Sequence, residues 1–136
     1  MPAAAVKGAV EARLADWDGI GAFPFYDEND AAPAPATQYV TIEYPVATED
    51  RITIGAKPAV YRERGTIRFI LRVLVADGVD AALASADTLR AFFREQQFGG
   101  VETFGASPVL MNPQNRKGSF YSLPFVVTYK FDQVIT

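Results

Sequence analysis

Cysteine and histidine are both absent from this 136-residue chain. Without cysteine there is neither a disulfide nor a thiolate metal site. Without histidine the commonest general base and the commonest metal ligand are missing. Serine–histidine and cysteine–histidine catalysis are therefore excluded. No apolar run approaches the length of a membrane span. The opening MPAAAVKGAV lacks the apolar core of a signal peptide. The sequence is thus expected to stay in the compartment where it is made and to have no membrane partner. It holds no Walker A motif, no GxGxxG and no zinc pattern. A net positive charge, the usual mark of a nucleic-acid binder, is missing too, since the formal charge is −3. That deficit is local. Residues 1–36 carry two basic and six acidic side chains, net −4, whereas residues 37–136 carry 11 and 10, net +1.

What is present is the patterning of one domain, 1–136, large enough for a core without staples. Residues 2–17 read as a helix, with Pro2 suited to its first turn and Val6, Val10, Leu14 and Trp17 on one stripe. Lys7 and Glu11 are placed to pair on its polar side. Residues 18–36, DGIGAFPFYDENDAAPAPA, form a long connection of the kind that is usually functional or disordered. Its aromatics Phe23, Phe25 and Tyr26 argue against plain disorder and are consistent with a short strand. Residues 37–46 alternate, with Val40, Ile42 and Tyr44 on one side and Tyr39, Thr41 and Glu43 on the other, as in a half-buried strand. ATEDRITIGAKP (47–58) fits a protruding hairpin or a mobile loop, so long loops are expected at 18–36 and 46–58. AVYRERG reads as a strand that turns at Gly65.

The stretch GTIRFILRVLVADGVDAALASADTLRAFF (65–93) reads as a strand running into a helix. Phe69, Leu71, Val73 and Val75 share one face, and Arg68, Ile70, Arg72 and Leu74 the other. Asp77 is placed to cap a helix over 78–95, whose stripe is Val79, Leu83, Ala86, Leu89 and Phe93. That helix is expected to pack on Phe69, Leu71 and Val73 and to end near FGG. Residues 101–112 make a further strand with Pro108 near a bend, and NPQNRKG is a turn. In the last strand Tyr121, Leu123, Phe125, Val127, Tyr129 and Phe131 share a face. The order points to an α+β fold, a mostly antiparallel sheet with two helices packed on one face.

The candidate site residues are surface residues. Two readings are open for the Arg68 face. Either it is solvent-exposed, with arginine stems covering Ile70 and Leu74, or it meets another subunit or a polyanion. Under the second reading Arg68, Ile70, Arg72 and Leu74 are interface or channel positions, and Glu43 or Glu102 of a neighbour are candidate partners for the arginines. Phe23, Phe25 and Tyr26 in the first long loop, and Glu49, Asp50 and Arg51 in the second, are candidates for docking partner proteins. Arg116 and Lys117 stand at a hairpin tip, where the choice lies between a solvated turn and a phosphate contact. Asp27, Glu28 and Asp30 are the only tight acidic group beside Glu49 and Asp50. Such carboxylates can hold magnesium, but on short loops they are far more often solvated turns.

Three segments together resemble the tail terminator proteins of long-tailed bacteriophages and related gene transfer agents. These are the helix leading into FYDENDAAPAPATQYV, the strand–break–helix GTIRFILRVLVADGVDAALASADTLRAFF, and the closing strand GSFYSLPFVVTYKFD. The resemblance implies a structural, non-enzymatic subunit without cofactor that assembles into a hexameric ring. The ring caps the tail tube protein, joins it to a head-side connector or stopper protein, and lets DNA pass through without sequence-specific contacts. It places the protein at the neck of a virion or phage-like particle assembled in the bacterial host cytoplasm. Two other functions stand beside it: another neck or head-completion protein, and a metal-dependent enzyme using Asp27, Glu28 and Asp30.

Overall fold

The computed structural model describes residues 3–27, 37–74, 80–109, 116–117 and 120–135, the last two stretches without the side chains of Arg116, Lys117 and Phe120. Helix α1 spans Ala4–Ala15 and is followed by a short 3-10 turn at Asp18–Gly21. The strands are β1 (Tyr39–Arg51), β2 (Ala59–Leu74), β3 (Gln97–Phe98), β4 (Val101–Ala106), β5 (Arg116–Lys117) and β6 (Phe120–Ile135). Helix α2 (Asp80–Phe93) lies between β2 and β3. The strand order is β1-β2-β6-β4-β3, with β5 added to the end of β6. Every ladder is antiparallel. The α+β class expected from the sequence is the one observed.

Both helices lie on one face. Val6, Val10 and Leu14 of α1 and Ala82, Ala86, Leu89 and Phe93 of α2 join Ile67, Phe69, Leu71, Val73, Leu123, Phe125, Val127 and Tyr129 in a single buried cluster. Phe93 sits at its centre, 4.5 Å from Phe69 between ring centroids, and Phe69 stacks on Phe125 at 5.3 Å. Trp17 closes the α1 end and donates its indole N–H to Thr88 of α2. The stripe predicted for α1 is buried at all four positions. On α2 it holds at Ala86, Leu89 and Phe93, while Leu83 is half-buried and Ala82 is buried in addition. Val75, Asp77 and Val79 lie outside the described residues.

Three boundaries differ from the sequence reading. β2 does not turn at Gly65 but runs through it for 16 residues, paired with β6 along its whole length. Gly65 marks a close approach instead. A Cβ there would lie 2.2 Å from the Val46 carbonyl oxygen and 3.0 Å from the Tyr129 ring. The β1–β2 register shifts between Glu43 and Val46, where Pro45 cannot donate to a ladder. Second, the expected loop at 46–58 begins only at Ile52, because residues 46–51 continue β1 opposite residues 61–66 of β2. Third, α2 ends at Phe93, and FGG forms the two-residue hairpin joining β3 to β4. Gly99 and Gly100 both have positive φ, 55° and 83°, which suits this tight turn.

Candidate functional site

The face of the sheet away from the helices is built by strand alternation. Side chains two apart on a strand share a face, so the even-numbered residues of β2 all point outward, among them Arg62, Arg64, Arg68, Ile70, Arg72 and Leu74. The register sets Tyr39, Thr41 and Glu43 of β1 beside Arg72, Ile70 and Arg68, and Ser122, Pro124 and Val126 of β6 on their other side. Further along, Lys130 and Asp132 lie opposite Arg64 and Arg62, and Glu102 of β4 lies opposite Lys130. Arg68 and Arg72 are therefore half of a row of four arginines. Ending the strand at Gly65 hid the other half, although the spacing of Arg62, Arg64, Arg68 and Arg72 has the strand period throughout.

Arg62, Arg68 and Arg72 are held by partners within the chain. Arg62 grips Asp132 through two hydrogen bonds of 2.7 and 3.0 Å, the forked geometry that favours arginine. This contact holds the Asp132 carboxyl below the usual range. Arg68 reaches Glu43 at 3.5 Å, and Arg72 donates to the Ser122 hydroxyl. Lys130 pairs with Glu102 at 3.1 Å, and hydrogen bonds from Gln97 and Lys130 hold the Glu102 carboxyl low. The two acids considered as a neighbour's partners, Glu43 and Glu102, are thus engaged inside the subunit. Exposed pairs of this kind contribute little to stability.

Ile70 is only 6% exposed although it lies on this outer face. It forms the floor of a groove of about 420 Å³, together with Pro108, Pro124 and Val126, flanked by Arg68 and Arg72. Among the described residues, the groove lies where β6 pairs with neither β4, which reaches it as far as Ala106–Val127, nor β5, which reaches it at Phe120 and Tyr121. Between them β6 is free to hold Pro124, which cannot donate to a ladder. Val126 is met there by Ser107, through its backbone N–H and its hydroxyl. Leu74 is half-buried at the end of this row.

In the first docking group Phe23 alone is corrected. Phe23 is 2% exposed and packs against Trp17, so it is a core residue. Phe25 and Tyr26 are half-buried. Their segment runs beside β1 through hydrogen bonds of Tyr26 N to Val40 O and Val40 N to Pro24 O, and the Tyr26 ring meets Tyr39 edge-on. These aromatics fasten the connection to the sheet. Asp27 pairs with Lys7 at 3.2 Å, and Lys7 also reaches Glu11 at 3.6 Å. Glu28 and Asp30 lie outside the described residues, and no cluster able to hold a metal ion occurs among the described ones.

Glu49, Asp50 and Arg51 are exposed at the far end of β1. The turn beyond them is tied by Ile52 N to Val60 O at 2.9 Å, by Val60 N to the Thr53 hydroxyl at 3.0 Å, and by Arg51 to the Gly55 carbonyl. It nevertheless presents Ile52 at 44% and Ile54 at 102% exposure. Arg116 and Lys117 pair with Tyr121 and Phe120.

Residues 5–99 match the family described as phage tail terminator protein. The chain belongs to that family. A tail terminator is a structural component of the phage tail, and this subunit's role and tail-proximal place in the virion follow at that level. A solved structure similar over 100% of this chain and 97% of its own length has a TM-score of 0.58 and 20% identity. It is one of eight solved chains that match, and at that identity it shows the fold alone. No curated protein matches. Among the described residues no helix of this tail terminator is long and apolar enough to cross a membrane.

Proposed function

We propose that this tail terminator forms a closed ring, six subunits in its simplest form. The ring caps the finished tail tube and joins it to a head-side connector or stopper protein, with DNA later passing through its channel. The reading rests on the family match over residues 5–99. The outer face supports it, because the half-buried Pro124 and Val126 gain from burial against a neighbour and the arginines supply polar contacts at the rim. A closed ring needs one heterologous contact repeated around an axis. The particle is a tailed phage or a gene transfer agent, and assembly takes place in the bacterial host cytoplasm. The subunit acts as a structural part, without catalysis or cofactor.

Negative-stain microscopy of the purified protein, alone and mixed with tail tubes, tests the proposal. Rings of one size, alone or on tube ends, are expected. A protein that stays monomeric in the presence of tubes would overturn it.

A further inference from the structure

Two strand edges stand open at the β1–β2 turn end of the sheet, and the hydrogen bonds fix which backbone groups point there. Ile52 N donates to Val60 O, and Val60 N donates to the Thr53 hydroxyl, so Val60 turns both backbone groups toward β1. Bonding alternates along an antiparallel ladder. With Thr48 opposite Arg64 and Asp50 opposite Arg62, those even residues of β1 bond β2, and Ala47, Glu49 and Arg51 direct N–H and C=O outward. β1 is the first strand of the sheet. Among the described residues its outward backbone is met only at Val40, by Pro24 and Tyr26. On β6, Val126 turns N–H and C=O to Ser107, away from β2, and by the same alternation so do Asp132 and Val134. β4 pairs with β6 no further than Phe131, so among the described residues no strand meets that side of Asp132 and Val134.

This end of the subunit is a ribbon of β1, β2 and β6 with an unpaired edge on each side. The two edges match in side chains as well as in backbone. Ile52 lies beside Val60, and Val60 beside Val134, so the three share one row and one face of the sheet. The outer members of that row, Ile52 and Val134, are 44% and 59% exposed. We infer that the β1 edge of one subunit, residues 47–52, adds to the β6 edge of the next, residues 132–135, with Ile52 beside that neighbour's Val134. Both β1 and β6 are antiparallel to β2, so copies related by rotation about an axis along the strands pair in parallel. Each edge is the occupant of the other, because joining them satisfies both rows of backbone groups and covers both aliphatic side chains. An open edge is a template for another strand, and a head-to-tail contact that closes into a ring leaves neither edge unpaired at this seam. Asp50 comes beside the neighbour's Asp132, whose charge the fork from Arg62 already offsets. The inference rests on the ring reading above and names the strands that make its contact.

The chain has no cysteine, so a single introduced cysteine reports contacts between copies alone. Ile52→Cys protein and Val134→Cys protein, mixed in equal amounts, assembled and treated with a short bifunctional maleimide, should give linked dimers of one of each kind. Neither protein alone should link. Rings in the microscope without mixed dimers would overturn this contact and leave the ring reading standing. Dimers from Ile52→Cys protein alone would overturn it too, since two β1 edges would then be pairing with each other. No rings, even with tail tubes, would overturn the ring reading and this contact with it.

Proline supplies an independent check. Glu49→Pro removes an N–H that points out of the sheet, a place where edge strands accept proline. This variant should melt close to the parent and lose at least tenfold in assembly. Asp50→Pro, one residue on, removes a bond to β2 and should lower the melting midpoint instead. Undiminished rings from Glu49→Pro would refute the strand addition. A midpoint for Glu49→Pro as low as that of Asp50→Pro would refute the outward direction of the Glu49 backbone, and the open edge with it.

Discussion

Glu63 shows how much a single side chain can decide out of sight of the sequence pattern. Helix α1 begins without a capping side chain, since its N-cap is Ala3. The cap comes from Glu63 instead, sixty residues on, whose Oε1 accepts the Ala3 N–H at 3.0 Å. A carboxylate at a helix N-terminus also opposes the positive end of its dipole. The other Glu63 oxygen accepts from the Tyr129 hydroxyl, and Glu63 is buried at 5% exposure. Nothing in AVYRERG announced this, because a glutamate at strand spacing reads as solvent-facing. Arg13 was equally illegible. It lies over the Phe92 ring at 4.0 Å and donates twice to the Phe92 carbonyl, satisfying a carbonyl that the end of α2 leaves open. The Glu63–Tyr129 bond has a pH signature. Burial, and then the Glu63 carboxylate, push the Tyr129 phenol above its ordinary value, and burial does the same for Tyr44. A group raised in the folded state keeps its full contribution below the unfolded value, about pH 10 for tyrosine. That contribution is lost as pH rises, because the unfolded chain releases the proton first. Denaturant midpoints should therefore fall above about pH 10, and in Tyr129→Phe they should fall with a slope shallower by one proton. Identical slopes would show that Tyr129 is not a linked group.

At the scale of elements, legibility followed periodicity. Where one face is wholly apolar, as in α1, β6 and the Phe69 face of β2, the sequence pattern and the burial agree. It failed where a residue had two physical uses. Gly65 reads as a turn because glycine is a common breaker, yet here its missing Cβ admits the Val46 carbonyl. Reading it as a turn cut β2 in half and concealed that Arg62 and Arg64 share the face of Arg68 and Arg72. FGG read as a helix terminus for the same reason, whereas both glycines serve a hairpin. Phe23 and Phe25 read as loop residues because the elements that cover them, Trp17 and β1, are distant in pattern. The packing of α2 is the firmest element-level inference and carries a firm expectation. Phe93 is fully buried among Phe69, Phe92 and Phe98. Phe93→Ala should cost about 3–5 kcal/mol, as large-to-small changes at core aromatics do, read as a drop in the denaturant midpoint. An unmoved midpoint would contradict the packing of α2 on β2.

For the whole molecule, the arrangement separates stability from assembly. The core lies under the helices as one buried cluster that includes Val6, Phe93 and Tyr129. The β1–β2 turn lies beyond it, with residues 54–58 all exposed. Removing side chains that touch little in the folded subunit changes stability little, so the turn is free to serve contacts between subunits or with the tail. This gives a prediction in which folding and function part. Replacing residues 53–57 by Asn-Gly leaves a four-residue connection, with Pro58 and Ala59, between the paired Ile52 and Val60, a loop length that hairpins also use. The shortened protein should melt within about 0.5 kcal/mol of the parent, the usual range for surface changes. Particles made with it as the only tail terminator should leave heads and tails unjoined, counted by electron microscopy and by infectious or transducing titre. Normal joining would show that the turn is a passive connection and that assembly is carried by other surfaces. A large fall in stability would show that the turn belongs to the folded core, against its exposure. The predicted outcome, a stable subunit that cannot join, is the one expected of an arm whose apolar tip is kept in solvent until a neighbour covers it.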